Sequence, residues 1–122
     1  MTTILIIDDD PNNQRILSYT LRKAGFTVLL ASNGQSGLDI LRSSQVELAI
    51  LDLSMPVMDG LSLLRLIRAD QNLISLPVII LTASGDDQEI AIAAQIGVHA
   101  FLTKPSSSRV LLDTVEAALT RS

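Results

Sequence analysis

Five short runs of aliphatic residues recur along the chain, and none of them alternates polar with apolar positions. The runs cover residues 4–7, 28–30, 48–51, 78–81 and 100–102. Continuous apolar runs of this length are typical of strands that are buried on both faces, as in a parallel sheet. Each run is therefore predicted to be a strand of such a sheet.

The segments between these runs carry apolar residues at helical spacing. The first segment has signals of a helix start, because Asp10 can cap a helix and Pro11 suits its first turn. It ends at Gly25, a common residue just beyond the last turn of a helix. Its one-sided apolar stripe consists of Ile16, Leu17, Thr20, Leu21 and Ala24. Further helices are predicted over residues 34–42, 60–69, 87–96 and 107–119.

The alternation of strand and helix, repeated five times, predicts an α/β fold with right-handed crossovers. We expect three layers, in which a five-stranded parallel sheet of flavodoxin-like order 2-1-3-4-5 lies between five helices. A length of 122 residues fits one domain. No linker or low-complexity tract divides the chain, so residues 1–122 are expected to fold as a single unit.

The composition of the chain excludes several classes of function. The net charge of -4 argues against a nucleic-acid surface, which would need a basic patch. The absence of cysteine excludes disulfides, thiolate metal sites and thiol catalysis. No apolar run approaches the ~20 residues that a membrane span needs. We therefore expect a cytoplasmic protein that acts without direct contact to nucleic acid or membrane.

Polar residues that could bind a ligand or take part in a reaction follow four of the predicted strands. Asp8 and Asp9 follow the first strand, Asp52 the third, Thr82 the fourth and Lys104 the fifth. Ligands of open α/β sheets bind beyond the carboxyl ends of the strands, near the point where strand order reverses. In the predicted order the first and third strands are neighbours, so the acids should lie close together.

Three crowded carboxylates repel one another, and a hard divalent cation relieves that repulsion. Mg2+ is the expected metal, with Mn2+ able to substitute for it. A phosphoryl group would bring further negative charge, which the metal, Lys104 and the Thr82 hydroxyl are placed to meet. Because a carboxylate can itself be the nucleophile, Asp52 is a candidate to become an aspartyl phosphate.

Four sequence blocks carry a family resemblance. They are IIDDD at residues 6–10, LDLSMPVMDG at 51–60, LTA at 81–83 and FLTKP at 101–105. All four blocks fall at predicted strand ends and in the right order, and together they resemble the response-regulator receiver domain of two-component signalling. The resemblance spans nearly the whole chain, which implies a receiver domain over residues 1–122 with no output domain within them.

The resemblance implies a role for each acid. Asp52 would be the phosphoacceptor and also a metal ligand. Asp9 would bind Mg2+ directly, and Asp8 directly or through water. The backbone carbonyl of Ser54 would complete the set of protein ligands.

It also implies how the phosphoryl group is held and sensed. Lys104 would pair first with Asp52 and then with the phosphate. The Thr82 hydroxyl and the backbone of Ala83 would bind phosphate oxygens. Phe101 resembles the family's switch aromatic, which turns inward as the threonine moves, although it could also simply fill the core. The bond to Pro105 is expected to be cis, which proline permits at modest cost.

The implied partners are a sensor histidine kinase or a histidine phosphotransfer protein, and an unidentified downstream protein. The fourth predicted helix has too many apolar positions for one buried stripe. If Ile90 and Ala94 face the core, Ile92 and Ile96 lie elsewhere, and such a strip often marks a contact surface. We expect it to contact a partner or, in a phosphorylation-linked homodimer, a second copy.

Plainer readings and other functions compete with this one. Asp10 is better explained as a helix cap than as a third metal ligand. A hydrolase of the haloacid-dehalogenase type also uses an aspartyl phosphate, but that family wants an acid where Ser54 stands. An interaction module without phosphorylation usually lacks one of the acids, the threonine or the lysine, and all are present here. The chain is therefore expected to be a switch that catalyses its own phosphorylation and dephosphorylation, not an enzyme in the usual sense.

Overall fold

A computed structural model describes residues 2–53, 60–82, 87–104 and 106–120. The strands are β1 (Thr3–Ile7), β2 (Thr27–Ala31), β3 (Leu48–Asp52), β4 (Val78–Thr82) and β5 (Ala100–Thr103). The helices are α1 (Pro11–Lys23), α2 (Gly34–Ser43), α3 (Gly60–Ala69), α4 (Asp87–Ile96) and α5 (Ser108–Thr120). Every predicted element is present, and the boundaries that were predicted agree to within one residue.

All the strand pairs are parallel, and the strand order is β2-β1-β3-β4-β5. The predicted three-layer, flavodoxin-like fold is therefore confirmed. The order reverses next to β1, because the chain moves outward to β2 and then returns to pair β3 on the other side of β1. The carboxyl ends of β1 and β3 consequently lie side by side at this reversal.

Alternate residues of each strand supply two separate hydrophobic cores, one on each face of the sheet. The core under α2, α3 and α4 contains the strand residues Leu5, Ile7, Ala49, Leu51, Val78 and Ile80. The core under α1 and α5 contains Ile4, Ile6, Leu48, Ile50, Ile79, Leu81 and Leu102. Since both faces are covered, both sets must be apolar. This is why the strands read as continuous aliphatic runs.

Helix α1 begins and ends as predicted but packs on a different line. The Asp10 side chain accepts a hydrogen bond from Asn12 N at 3.0 Å, and Gly25 has a positive φ of 101°. Leu17, Ser18 and Leu21 are the buried residues of the helix. Ile16 and Ala24 of the predicted stripe are exposed, Ile16 to 64%, so these two residues do not belong to the buried face. Leu17 and Leu21 belong both to the predicted stripe and to the observed buried face. Helical spacing alone did not decide which neighbouring residues are buried with them.

Helix α4 is weakly buried. Ala93 is its buried residue, whereas Ala94 is exposed and does not face the core as supposed. Ile92 and Ile96 are half-buried, and Ile96 packs against the core under α2, α3 and α4. Both residues are therefore partly exposed, and their role in a partner surface stays a prediction.

No helix within the described part of the chain has the length and apolar character needed to cross a membrane.

Candidate functional site

Sheet register brings the acids together at the carboxyl edge. Ile7 pairs with Leu51, so the next residues, Asp8 and Asp52, lie side by side beyond the hydrophobic cores. Asp8 is 0% and Asp52 1% exposed, whereas Asp9 is exposed to solvent. One carboxylate oxygen from each of the three residues lies within 4.8 Å of the others. The predicted acidic cluster is present.

Lys104 closes the cluster from the side of β5. Its backbone N–H donates to Thr82 O at 2.9 Å, which holds the residue at the strand end. Its Nζ donates to Asp52 Oδ2 at 2.8 Å, and the Lys104 side chain is 28% exposed. Burial alone would lower the pKa of Lys104, but the hydrogen bond and charge of Asp52, with the charges of Asp8 and Asp9, raise it overall. Lys104 is therefore charged at neutral pH.

Asp8 is held on both of its carboxylate oxygens. Oδ1 accepts from the backbone N–H of Asp10 at 2.9 Å, and Oδ2 accepts from Asn13 Nδ2. Burial raises the pKa of Asp8, and the nearby charge of Asp52 raises it further. The two hydrogen bonds and Lys104 oppose that rise without cancelling it. The Asp8 carboxylate is thus held in one orientation, but its ionisation costs more free energy in the folded chain than in water.

Sequence reasoning missed Asn13 and the adjacent Gln14. Gln14 Nε2 donates to the backbone carbonyls of Asp8 at 2.6 Å and of Ala31 at 3.0 Å. Both residues lie in the first turns of α1, directly after the acidic run. Because a helix that starts at a site aims its first side chains back at that site, the amides at these positions were the available signal.

Thr82 and Phe101 lie on one face of the sheet. Thr82 ends β4 and is 3% exposed. Phe101 pairs with Ile80, two residues before Thr82, and packs half-buried against the core that contains Ile80. Residues two apart in a strand point to the same side. The structure thus brings together the two residues predicted to act as a switch.

Gly60 has a structural role that the sequence analysis did not assign. A Cβ atom at this first residue of α3 would lie 2.7 Å from Asp52 O and 2.7 Å from Leu53 Cα. Such distances to backbone atoms are prohibitive, so only glycine lets the helix approach the end of β3 this closely. The preceding residue, Asp59, lies outside the described residues.

Three further predicted site residues, Ser54, Ala83 and Pro105, also lie outside the described residues.

The described groups suit a divalent cation. Three carboxylates facing one ammonium leave two formal negative charges unbalanced, in a site where two of the acids are fully buried. Carboxylate oxygens are the ligands that Mg2+ prefers in proteins. The donor set, the charge and the spacing of Asp8, Asp9 and Asp52 all fit such an ion.

Comparison with known sequences gives a family match. Residues 4–116 match the family model described as the response regulator receiver domain. The chain is 39% identical over 119 residues to the chemotaxis protein CheY of Pseudomonas aeruginosa, covering 97% of this chain and 96% of that protein. It is 40% identical over 119 residues to the transcriptional regulatory protein GltR of the same organism. That match covers 98% of this chain but 49% of GltR, so the chain spans about half the length of this relative.

Solved structures agree with the sequence matches. A putative response regulator from Chloroflexus aurantiacus superposes with a TM-score of 0.94 at 31% identity, covering 98% of both chains. The receiver domain of a signal transduction histidine kinase from Syntrophus aciditrophicus gives 0.92 at 30% identity, covering 99% of this chain and 92% of that one. The chain belongs to the response regulator receiver domain family of two-component signalling.

Proposed function

We propose that Asp52 accepts a phosphoryl group from a phosphohistidine, with Mg2+ held by Asp8, Asp9 and Asp52. The observation that carries this proposal is the ion pair between buried Asp52 and Lys104, 2.8 Å long, inside a cluster of three carboxylates. The donor would be a sensor histidine kinase or a histidine phosphotransfer protein. The family membership supports this choice of donor class.

The reaction is a displacement at phosphorus. An oxygen of Asp52 forms the new O–P bond while the P–N bond breaks, and the electron pair of that bond stays on the departing imidazole nitrogen. Lys104 holds the Asp52 carboxylate in place before transfer by donating to its Oδ2. Afterwards its ammonium neutralises charge on the phosphoryl oxygens. A bound Mg2+ would supply the remaining positive charge at those oxygens.

Other groups complete the proposed site. The Thr82 hydroxyl donates to a phosphoryl oxygen, as does the backbone N–H of Ala83. The backbone carbonyl of Ser54 would add a metal ligand. The domain in this view catalyses its own phosphorylation and later loses the group by hydrolysis.

The signal would pass through Thr82 and Phe101. Movement of Thr82 toward the phosphoryl group would free space on the face that it shares with Phe101, and the half-buried Phe101 side chain would turn into that space. This shift changes the surface formed by α4, β5 and α5, including Ile92 and Ile96. A downstream protein or a second copy of the chain reads that surface in the cytoplasm.

Intact-mass measurement tests the proposal. Treatment with acetyl phosphate and Mg2+ should add one phosphoryl group, and chelation of the metal should prevent the addition. Asp52→Asn should remain unmodified. Asp10→Asn is the matched control, since it removes a neighbouring acid while asparagine still caps α1, and it should be modified normally. A phosphoryl group on Asp52→Asn would overturn the proposal.

A further inference from the structure

Asp8 is the most deeply buried member of the acidic cluster, and its carboxylate is directed by residues outside the cluster. The Asp10 backbone N–H donates to Oδ1, and Asn13 Nδ2 donates to Oδ2. Asn13 is the side chain that reaches back from α1 to do this. Asp8 itself is 0% exposed, so solvent does not satisfy these oxygens.

The main chain of Asp8 is secured separately. Its N–H donates to Ala31 O at 3.0 Å, and Gln14 Nε2 donates to the carbonyls of both Asp8 and Ala31. This arrangement ties the end of β1 to the end of β2. With the backbone already fixed, the freedom that remains to Asp8 lies in its side-chain torsions, which Asn13 restrains.

Asn13 does not serve the helix start. Asp10 already caps α1 by accepting from the backbone N–H of Asn12. The amide of Asn13 is directed instead at a carboxylate of the cluster. Carboxylates that ligate metals are commonly oriented by hydrogen bonds from a second layer of residues, and loss of such a partner typically weakens metal binding by about 10–100-fold.

We propose that Asn13 is a positioning residue for the metal site: its amide holds the Asp8 carboxylate in the orientation that divalent-cation binding requires. This inference rests on the proposed function, because it assumes that Asp8 takes part in binding Mg2+. It adds a residue of α1 to a site otherwise built from strand ends.

The test is calorimetric titration of the unphosphorylated chain with MgCl2. Asn13→Leu keeps a similar volume but removes the donor, and it should weaken Mg2+ binding by about tenfold. Asn12→Leu is the matched control, because Asn12 is the preceding residue of the same helix and is exposed. It should bind as the wild type does. Asn13→Gln keeps an amide donor on a longer side chain and should recover part of the loss.

A purely structural role would give a different pattern. Asn13→Leu would then lower the thermal unfolding temperature of the metal-free chain while leaving the Mg2+ dissociation constant within twofold of the wild-type value. That result, or a glutamine variant no better than the leucine variant, would overturn the inference and leave the proposed function intact. Absence of Mg2+ binding by the wild-type chain would overturn both.

Discussion

The sheet has an amino edge, where the strands begin, and a carboxyl edge, where they end, and the two edges differ in how buried charge is stabilised. At the amino edge, the half-buried guanidinium of Arg68 on α3 donates to backbone carbonyls of Gly97 at 2.9 Å, Ile74 at 3.0 Å and Leu76 at 2.7 Å. One cation thereby ties α3 to the segments that lead into β4 and β5. Burial lowers the pKa of Arg68, but arginine stays protonated at any ordinary pH.

At the carboxyl edge, three carboxylates face one lysine. The two edges differ in what remains unbalanced. Arg68 meets uncharged acceptors that belong to the fold, so its bonds serve structure. The acids repel one another, the surrounding protein offsets that repulsion only in part, and a bound divalent cation would relieve it. The buried carboxylates whose charge is not balanced indicate that the functional site lies at the carboxyl edge.

Among variants that keep Asp52, the largest expected effect comes from removing Lys104 at the carboxyl edge. Lys104→Gln should slow Mg2+-dependent phosphorylation by acetyl phosphate by about 100-fold, the scale of losing one electrostatic contact to a transition state. The rate of adduct formation in time-resolved intact-mass spectra measures this. Lys23→Gln removes an equal charge from the exposed end of α1 and should leave the rate unchanged. A Lys104→Gln rate within threefold of the wild-type rate would remove the lysine from the proposed chemistry.

Substitution of Arg68 at the amino edge should lower the stability of the fold and leave phosphorylation unchanged. Arg68→Gln takes donors away from three backbone carbonyls and should lower the free energy of unfolding by about 2–3 kcal/mol. Urea titration measures the change. Arg65→Gln on the same helix is the control, since Arg65 is exposed and should matter little. If Arg68→Gln weakened Mg2+ binding instead, the division of roles between the edges would be wrong.

The smallest expected effect concerns the free-energy cost of burying the Asp8 carboxylate. Asp8→Asn should raise the free energy of unfolding at pH 7, in the absence of divalent metal, by about 1–2 kcal/mol. The amide can still accept from Asp10 N, and the Asn13 amide can rotate to present its oxygen. Chemical unfolding of both chains over a range of pH measures the difference.

The pH dependence follows from the direction of the shift. The pKa of Asp8 is raised in the folded chain. Below the unfolded-state value of about 3.9, the wild-type carboxyl is protonated in both states and its burial carries no charge penalty. The penalty grows as pH rises from there through the folded-state pKa, and it is constant above. The advantage of Asp8→Asn should therefore vanish in acid, and an advantage that persisted below pH 3.9 would have another cause.

The sequence predicted the elements well because the determining signals were local. Continuous aliphatic runs mark strands covered on both faces, and Asp10 and Gly25 mark the ends of α1. The acids were found because parallel strands place their carboxyl ends at one edge, so position along the chain was enough to group them.

What the sequence did not reveal depends on how elements pack. The exposure of Ile16 depends on the rotation of α1 against the sheet. Gly60 reads as a turn residue until α3 is seen against the backbone of Asp52. Arg68 reads as a surface cation until the carbonyls of two other segments surround it. In each case the deciding partner is distant in the chain or set by tertiary packing.

We expect phosphorylation on the carboxylate of Asp52 and on no other acid of the cluster. Borohydride reduces an acyl phosphate to an alcohol and so converts aspartyl phosphate to homoserine, which peptide mass mapping locates. After treatment with acetyl phosphate and Mg2+, we expect homoserine at position 52 alone, with unmodified aspartate at Asp8 and Asp9. Homoserine at position 8 or 9, with Asp52 intact, would contradict it.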